Sequence, residues 1–431
     1  MILVMAGVFG FLFLRDDTAP RRDPGEGTNF ISQFNPFGNS KDVAPGDTTP
    51  PVDVSGYEPS PTGETQTGKL VKVSSMPVAG FGVFMKERLK YVPVPPVIPA
   101  EGEMEGEPVA PTTPPTEFVP AVRYVDRASG NIYQSFADRI EERKFSGTII
   151  PKVYEAYFGN GGESVVMRYL KGDERTIETF VGTLPTEHLG ADSAGTNEIK
   201  GNFLPDNIKN VSIESGGSQL FYLSNSGDGV MGTTLSFLDN KKVQVFDSPF
   251  TEWLSQWPNE KMITMTTRPS AGVPGYMYAF DPSRRDWNKI LGGINGLTTQ
   301  TSPDGTLVLY SNNTLSLSVY DTSTRNGDIL GVSTLPEKCV WGNQSDVVYC
   351  AVPKSIDAGL YPDSWYQGEV TFYDQIWKIN IENGDASLVL DPLATPGGED
   401  VDGIKLTLDV NEDYLFFVNK KDSFLWKLEL E

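Results

Sequence analysis

Short runs in which apolar and polar residues alternate cover most of the chain, and the clearest set lies in residues 301–330. That stretch reads TSPDGTLVLYSNNTLSLSVYDTSTRNGDIL: a Ser-Pro-Asp-Gly turn, three alternating runs, and an Asp-Thr-Ser-Thr turn before the last. Alternation with a period of two marks half-buried strands, and the Asp, Asn and Gly steps between them suit tight turns. The pattern predicts a four-stranded antiparallel unit spaced at about 40 residues, the repeat length of a β-propeller blade.

The same order recurs when segments are aligned by strand role. Residues 208–248 give NVSIES, QLFYLSN, TTLSFLD and KKVQVFDS; residues 250–293 give EWLSQWP, KMITMTT, GYMYAFD and NKILGG. Residues 337–391 give KCVWG, DVVYCAVP, QIWKINI and ASLVLDP. In residues 153–201 VYEAYFG, SVVMRYL and TIETFVG are clear and a fourth strand is not. The last segment, residues 404–430, holds only IKLTLDV, DYLFFVN and FLWKLEL. Its missing strand is expected from residues 69–74, with residues 78–85 starting the first blade and 122–126, 131–136 and 142–145 completing it. The expected fold is all-β: a single propeller over residues 67–431, of seven four-stranded blades closed by an N-terminal strand. Closure of this kind protects sheet edges. The irregular stretch 184–207 leaves six or eight blades as alternatives.

Composition changes the picture at the N-terminus. Residues 1–14, MILVMAGVFGFLFL, are wholly apolar but short of the roughly 20 residues a spanning helix needs. They suggest a signal anchor or truncated transmembrane segment, although Arg15, Arg21 and Arg22 on the distal side argue against that orientation. A buried N-terminal strand or helix is the alternative. Residues 15–66, rich in Pro, Gly and Thr, read as a disordered linker. A Pro-rich stretch at 91–116 reads as an insertion between the first two strands of blade 1, solvated or available to a recognition domain. The 431 residues carry a net charge of −22, which repels phosphate backbones and excludes nucleic acid as the expected partner. Solubility is the simpler account of the acidity; a part in cation or substrate binding is the other.

Both cysteines fall in one predicted hairpin. If Trp341 faces Val348, then Cys339 faces Cys350, in reach of a cross-strand disulfide. Two facing cysteines with none left over suit an oxidising compartment, and reduced buried thiols are the alternative. With the apolar N-terminus and linker, the pair leads to the expectation of a membrane-anchored, extracytoplasmic domain in the periplasm or at the cell surface.

Ser302-Pro303-Asp304-Gly305, the following Thr306-Leu307-Val308-Leu309-Tyr310, and Val319-Tyr320-Asp321 together resemble the TolB-like family of PD40, WD40-like propeller repeats. The match is sharp in one blade; Glu214-Ser215-Gly216-Gly217 and Trp257-Pro258-Asn259-Glu260 stand where other turns of this kind are expected. In the repeat Asp and Gly make a tight turn, so the motif is structural. The family spans interaction scaffolds and propeller-bearing enzymes, so the resemblance implies a ring and not a reaction.

Catalytic chemistry is narrowed by what the chain lacks. Its single histidine, His188, lies in the least regular stretch, as a base or a solvated loop residue. No G-x-S-x-G elbow, P-loop or dinucleotide fingerprint occurs, and too few His and Cys are present for a zinc site. Residues 225–229, NSGDG, lack the acidic spacing of a calcium loop. No metal or cofactor is expected.

Binding chemistry is expected on the face made by loops joining strand two to three within a blade and strand four to the next strand one. The long loop at 354–374 offers Tyr361, Asp363, Trp365, Tyr366, Glu369 and Asp374. Glu252 and Trp253, with Arg268 and Tyr276, come from the neighbouring part of the ring. Their aromatic rings suit stacking on a sugar or clasping a peptide, with the carboxylates hydrogen-bonding around them. The alternative is that the loop packs its own aromatics over the channel as a plug. The functional expectation is a non-catalytic module binding a protein or glycan at the cell envelope. A carbohydrate-active enzyme pairing Glu252 with Asp363 or Asp374 is one alternative, and a structural cell-surface protein without a discrete ligand is another.

Overall fold

The structure, a computed structural model, describes residues 69–90, 115–185, 187, 198–395 and 398–430. These residues form seven four-stranded antiparallel sheets arranged as a β-propeller. Blade 1 takes Val78–Leu89, Thr116–Asp126, Ile132–Phe136 and Arg143–Lys144. Blade 2 takes Val153–Gly159, Ser164–Leu170, Ile177–Thr183 and Lys200–Phe203. Blade 3 takes Asn210–Ile213, Gln219–Ser226, Gly229–Ser236 and Lys242–Ser248. Blade 4 takes Trp253–Asn259, Met262–Thr267, Pro274–Phe280 and Trp287–Asn295. Blade 5 takes Thr298–Thr301, Leu307–Ser311, Ser316–Asp321 and Gly327–Ser333. Blade 6 takes Cys339–Trp341, Val347–Pro353, Asp374–Asn380 and Ala386–Leu390.

Blade 7 closes the ring. Gly403–Leu408, Tyr414–Asn419 and Leu425–Glu429 are joined on their outer edge by Leu70–Lys72, which pairs Leu70 with Leu428, Val71 with Lys427 and Lys72 with Trp426. The partner that the last three strands lack is thus supplied from the opposite end of the sequence, some 350 residues away. Val71 and Val73 are buried by this pairing.

First strands of neighbouring blades touch one another and so form the inner wall of the ring. Between blades 1 and 2 the approach is backbone to backbone: a Cβ on Gly80 would lie 1.9 Å from the Ala156 carbonyl oxygen. The core lies in the layers between blades. Val125 and Ile132 of blade 1 pack on Ala156 and Met167 of blade 2, and Tyr349 and Ile376 of blade 6 pack on Leu406 and Phe417 of blade 7. Alternation along each strand sends one side chain to each neighbouring blade, which is why the period-two pattern was readable.

Several expectations need adjusting in detail. The fourth strand of blade 2 is Lys200–Phe203, inside the stretch that left the blade count open. Trp257-Pro258-Asn259-Glu260 is not a turn: the strand runs to Asn259 with a register shift after Gln256, and the chain reverses at residues 260–261. Residues 225–229 belong to a hairpin whose two-residue turn, Gly227 and Asp228, carries Gly227 at φ 56°. The first two strands of blade 1 run longer than expected, pairing as far as Leu89 with Thr116. Cys339 faces Cys350 and a disulfide joins them, with Trp341 opposite Val348. The apolar segment 1–14, the linker 15–66, the insertion from 91 to 114 and His188 lie outside the described residues. Among those described, no helix is long and apolar enough to cross a membrane.

Candidate functional site

The up-and-down order of each blade puts the loops between strands two and three, and those from strand four to the next strand one, on one face of the ring. On that face the loop at 354–373 is the longest described connection, and it has a folded interior of its own. A helical turn, Asp363–Tyr366, follows Pro362. Tyr361 and Trp365 are buried with Phe372, Leu315 and Leu335. Trp365 stacks on Phe372 at 6.1 Å and 15° between planes, and Tyr361 on Phe372 at 5.8 Å. The Tyr361 hydroxyl donates to the Asp357 carbonyl at 2.7 Å.

Charges beneath the loop hold it down. Lys338, fully buried, donates to Asp374 (2.7 Å), to Asp402 and to the Gly403 carbonyl (3.1 Å). Asp402 also accepts from the Trp365 indole at 3.0 Å and from the Phe372 amide at 3.1 Å. Lys420, from blade 7, donates to the Trp365 carbonyl at 2.6 Å and lies 4.2 Å over its ring. Burial pushes the Asp374 carboxyl up, against the pull of Lys338, and holds the Lys420 amine below its ordinary range. On the blade 4 side, Asp363 accepts from the Ala271 amide at 2.6 Å. The loop is therefore a plug pinned from blade 4 to blade 7, and Tyr361 and Trp365 are spent on holding it.

The remaining candidates divide by exposure. Trp253 is buried, its indole donating to the Phe250 carbonyl at 3.0 Å. Tyr276 is half-buried with Lys289 4.9 Å over its ring. Glu369 is exposed. Glu252 is exposed between Lys209 (3.3 Å) and Arg268 (3.0 Å). Partial burial pushes its carboxyl up, but the bonds from Lys209 and Arg268 outweigh this and hold it below the ordinary range. Tyr366 is 39% exposed while its hydroxyl donates to Glu337 at 3.0 Å.

Glu337 is the unusual acid of this face. Burial pushes its carboxyl up to about 7, although the Tyr366 bond and the Lys338 and Lys420 charges pull the other way. Its Oε1 is buried with no hydrogen-bond partner. Of the carboxylates considered for a pair, Asp374 is held by Lys338 through Oδ2 while its Oδ1 is buried without a partner, Asp363 accepts the Ala271 amide, and Glu252 lies between Lys209 and Arg268. Sequence reading missed Glu337, Lys338, Asp402 and Lys420. Residues 336–338, Pro-Glu-Lys, do fall in a loop of the right class; nothing in the sequence links Lys338 to acids 36 and 64 residues further on. Among the described residues no group of three or more His, Cys, Asp or Glu is placed to hold a metal.

Fold and site together define a seven-bladed propeller with one face partly covered by its own plug. No family model and no curated protein matches the chain. Among solved structures, similarity extends to TolB from Acinetobacter baumannii, at 9% identity over 71% of this chain and 61% of that one, TM-score 0.38. An oligogalacturonate lyase from Vibrio parahaemolyticus aligns at 8% identity over 72% of this chain and 85% of its own, TM-score 0.45. The tricorn protease aligns at 10% identity over 69% of this chain and 27% of its own, TM-score 0.33. At these values the likenesses assign no activity.

Proposed function

We infer that the chain is a non-catalytic, extracytoplasmic binding module, tethered through its N-terminus, that holds a protein partner on the plugged face. One observation carries this reading: the exposed large apolar side chains borne by loops crowd onto that face. The plug presents Ile356, Leu360, Tyr366 and Tyr373, with Leu360 70% exposed. Phe250 and Val273 come from the loops of blade 4, and Ile149 and Leu393 from two other connections on the same side. On the opposite face, loops of the described residues carry only Leu238 and Val410. Clustered apolar exposure on a rigid scaffold marks an interaction surface. The disulfide supports an oxidising location.

Affinity capture from the cell envelope tests it. The wild-type chain is expected to retain a protein that Leu360→Asp combined with Val273→Asp loses at unchanged melting temperature. Equal recovery by both, or no specific protein with either, counts against the reading. The second reading, a glycan-active enzyme, is favoured by the raised Glu337 carboxyl, since glycosidase acids need such a value. Glycan cleavage abolished by Glu337→Gln would establish it.

A further inference from the structure

Lys338, Asp374 and Asp402 reach one buried point from three places in the ring. Lys338 ends the helical turn Pro336–Lys338 between blades 5 and 6, Asp374 opens the third strand of blade 6, and Asp402 leads into the first strand of blade 7. All three side chains are fully buried. One ammonium against two carboxylates leaves a charge unmatched, and burial pushes the Asp374 carboxyl up, which favours its neutral form. The Asp374 Oδ1 is buried and, among the described residues, has no hydrogen-bond partner. An ion pair alone does not account for that atom.

Asp402 is placed as an acyl group facing a nucleophile. Its Oδ1 accepts from the Lys338 ammonium, so the nitrogen stands beside the carboxyl carbon. Its Oδ2 accepts from the Trp365 indole at 3.0 Å and from the Phe372 amide at 3.1 Å, two uncharged N–H donors converging on one oxygen. The indole also reaches Oδ1 at 3.2 Å. Such a pair of donors holds the negative charge that gathers on a carbonyl oxygen when a nucleophile adds to its carbon. The Trp365 and Phe372 rings wall the site, their centres 5.1 and 5.3 Å from the Lys338 nitrogen. Held together and shielded from water, an amine and a carboxylic acid gain the proximity that amide formation lacks in solution.

We propose that Lys338 and Asp402 join in an intramolecular isopeptide bond, with Asp374 carrying protons between them. The ammonium passes one proton to Oδ1, which leaves a neutral amine facing a neutral acid. The amine lone pair forms a bond to Cγ while the carbonyl electron pair moves onto Oδ2, between the Trp365 and Phe372 donors. The nitrogen gives a second proton to Asp374, and Asp374 delivers one to the Oδ1 hydroxyl. The Cγ–Oδ1 bond then breaks, the electron pair on Oδ2 restores the carbonyl, and one water departs. One ammonium and one carboxylate thus become one secondary amide and one water, with Asp374 unchanged. The bond ties the connection before blade 6 to the one before blade 7 beneath the plug, whether or not the face above binds a protein.

Mass spectrometry of the full chain, denatured and with the Cys339–Cys350 disulfide reduced, is the test. The wild type is expected to weigh one water less than its sequence requires. Its tryptic digest should contain a peptide in which Lys338 and Asp402 are joined and cleavage after Lys338 is blocked. Asp402 precedes Gly403, a pair that also loses water by closing on its own backbone as a succinimide, so the joined peptide decides and not the mass alone. Lys338→Met removes the nucleophile and should restore the full mass. Asp374→Asn keeps both reacting groups and should lower the linked fraction several-fold at an unchanged fold by circular dichroism. Full mass in the wild type after prolonged incubation, a lost water with residues 338 and 402 in separate peptides, or a link from Lys338 to Asp374 would overturn the proposal. Linkage in Asp374→Asn as complete as in wild type would overturn the part given to Asp374.

Discussion

Glu337 and Lys338 are adjacent in sequence and solve opposite problems. Lys338 is buried with every ammonium proton committed, so its charge is matched by Asp374 and Asp402. Glu337 keeps one oxygen without a partner and carries a carboxyl raised from an ordinary 4.5 to about 7. Between those values the folded protein holds a proton that the unfolded chain has released. Its contribution to stability is therefore complete below the window and lost as pH rises through it, at up to ~1.4 kcal/mol per pH unit. Glu337→Gln removes that slope: melting temperatures measured from pH 4 to 8 should fall less steeply in the variant than in wild type. Parallel profiles would show that Glu337 titrates normally. Neither residue was legible in the sequence as special, because a Glu and a Lys in a loop read as solvated charges.

The plug is the element on which the account of the face rests. Its aromatics were visible in the sequence, and so was the choice between presenting them and burying them. What decided the matter was invisible: the Trp365 indole meets Asp402, 37 residues on, and the ammonium of Lys338 lies under the same ring. Removing one member of a buried ion cluster leaves the others uncompensated. Lys338→Met should therefore destabilise the protein by about 3–5 kcal/mol in denaturant titration. It should also open residues 354–373 to limited proteolysis before global unfolding. A loss below about 1 kcal/mol, with the loop still resistant, would mean that the charges do not pin the plug.

At the scale of the whole molecule the ring was largely readable, because each strand packs one side chain against each neighbouring blade and so writes its alternation into the sequence. Blade 2 was the exception, since its exposed fourth strand, Lys200–Phe203, has no apolar face to declare it. Closure was readable from a count of strands at the two ends. Deleting residues 1–75 removes Leu70–Lys72 and bares the edge of Leu425–Glu429, so cooperative melting should be lost; retention at an unchanged temperature would contradict closure by that strand. The face was expected from the class of its loops, but which apolar side chains it leaves exposed was not readable, since that depends on how each loop folds. In-cell photo-crosslinking measures directly which face meets a partner, with a photoreactive residue placed in turn at Phe250, Leu360, Leu238 and Val410. Adducts to a common protein from Phe250 and Leu360, with none from Leu238 and Val410, are the result expected of a partner held on the plugged face. Adducts confined to Leu238 and Val410, or absent from all four, would contradict it.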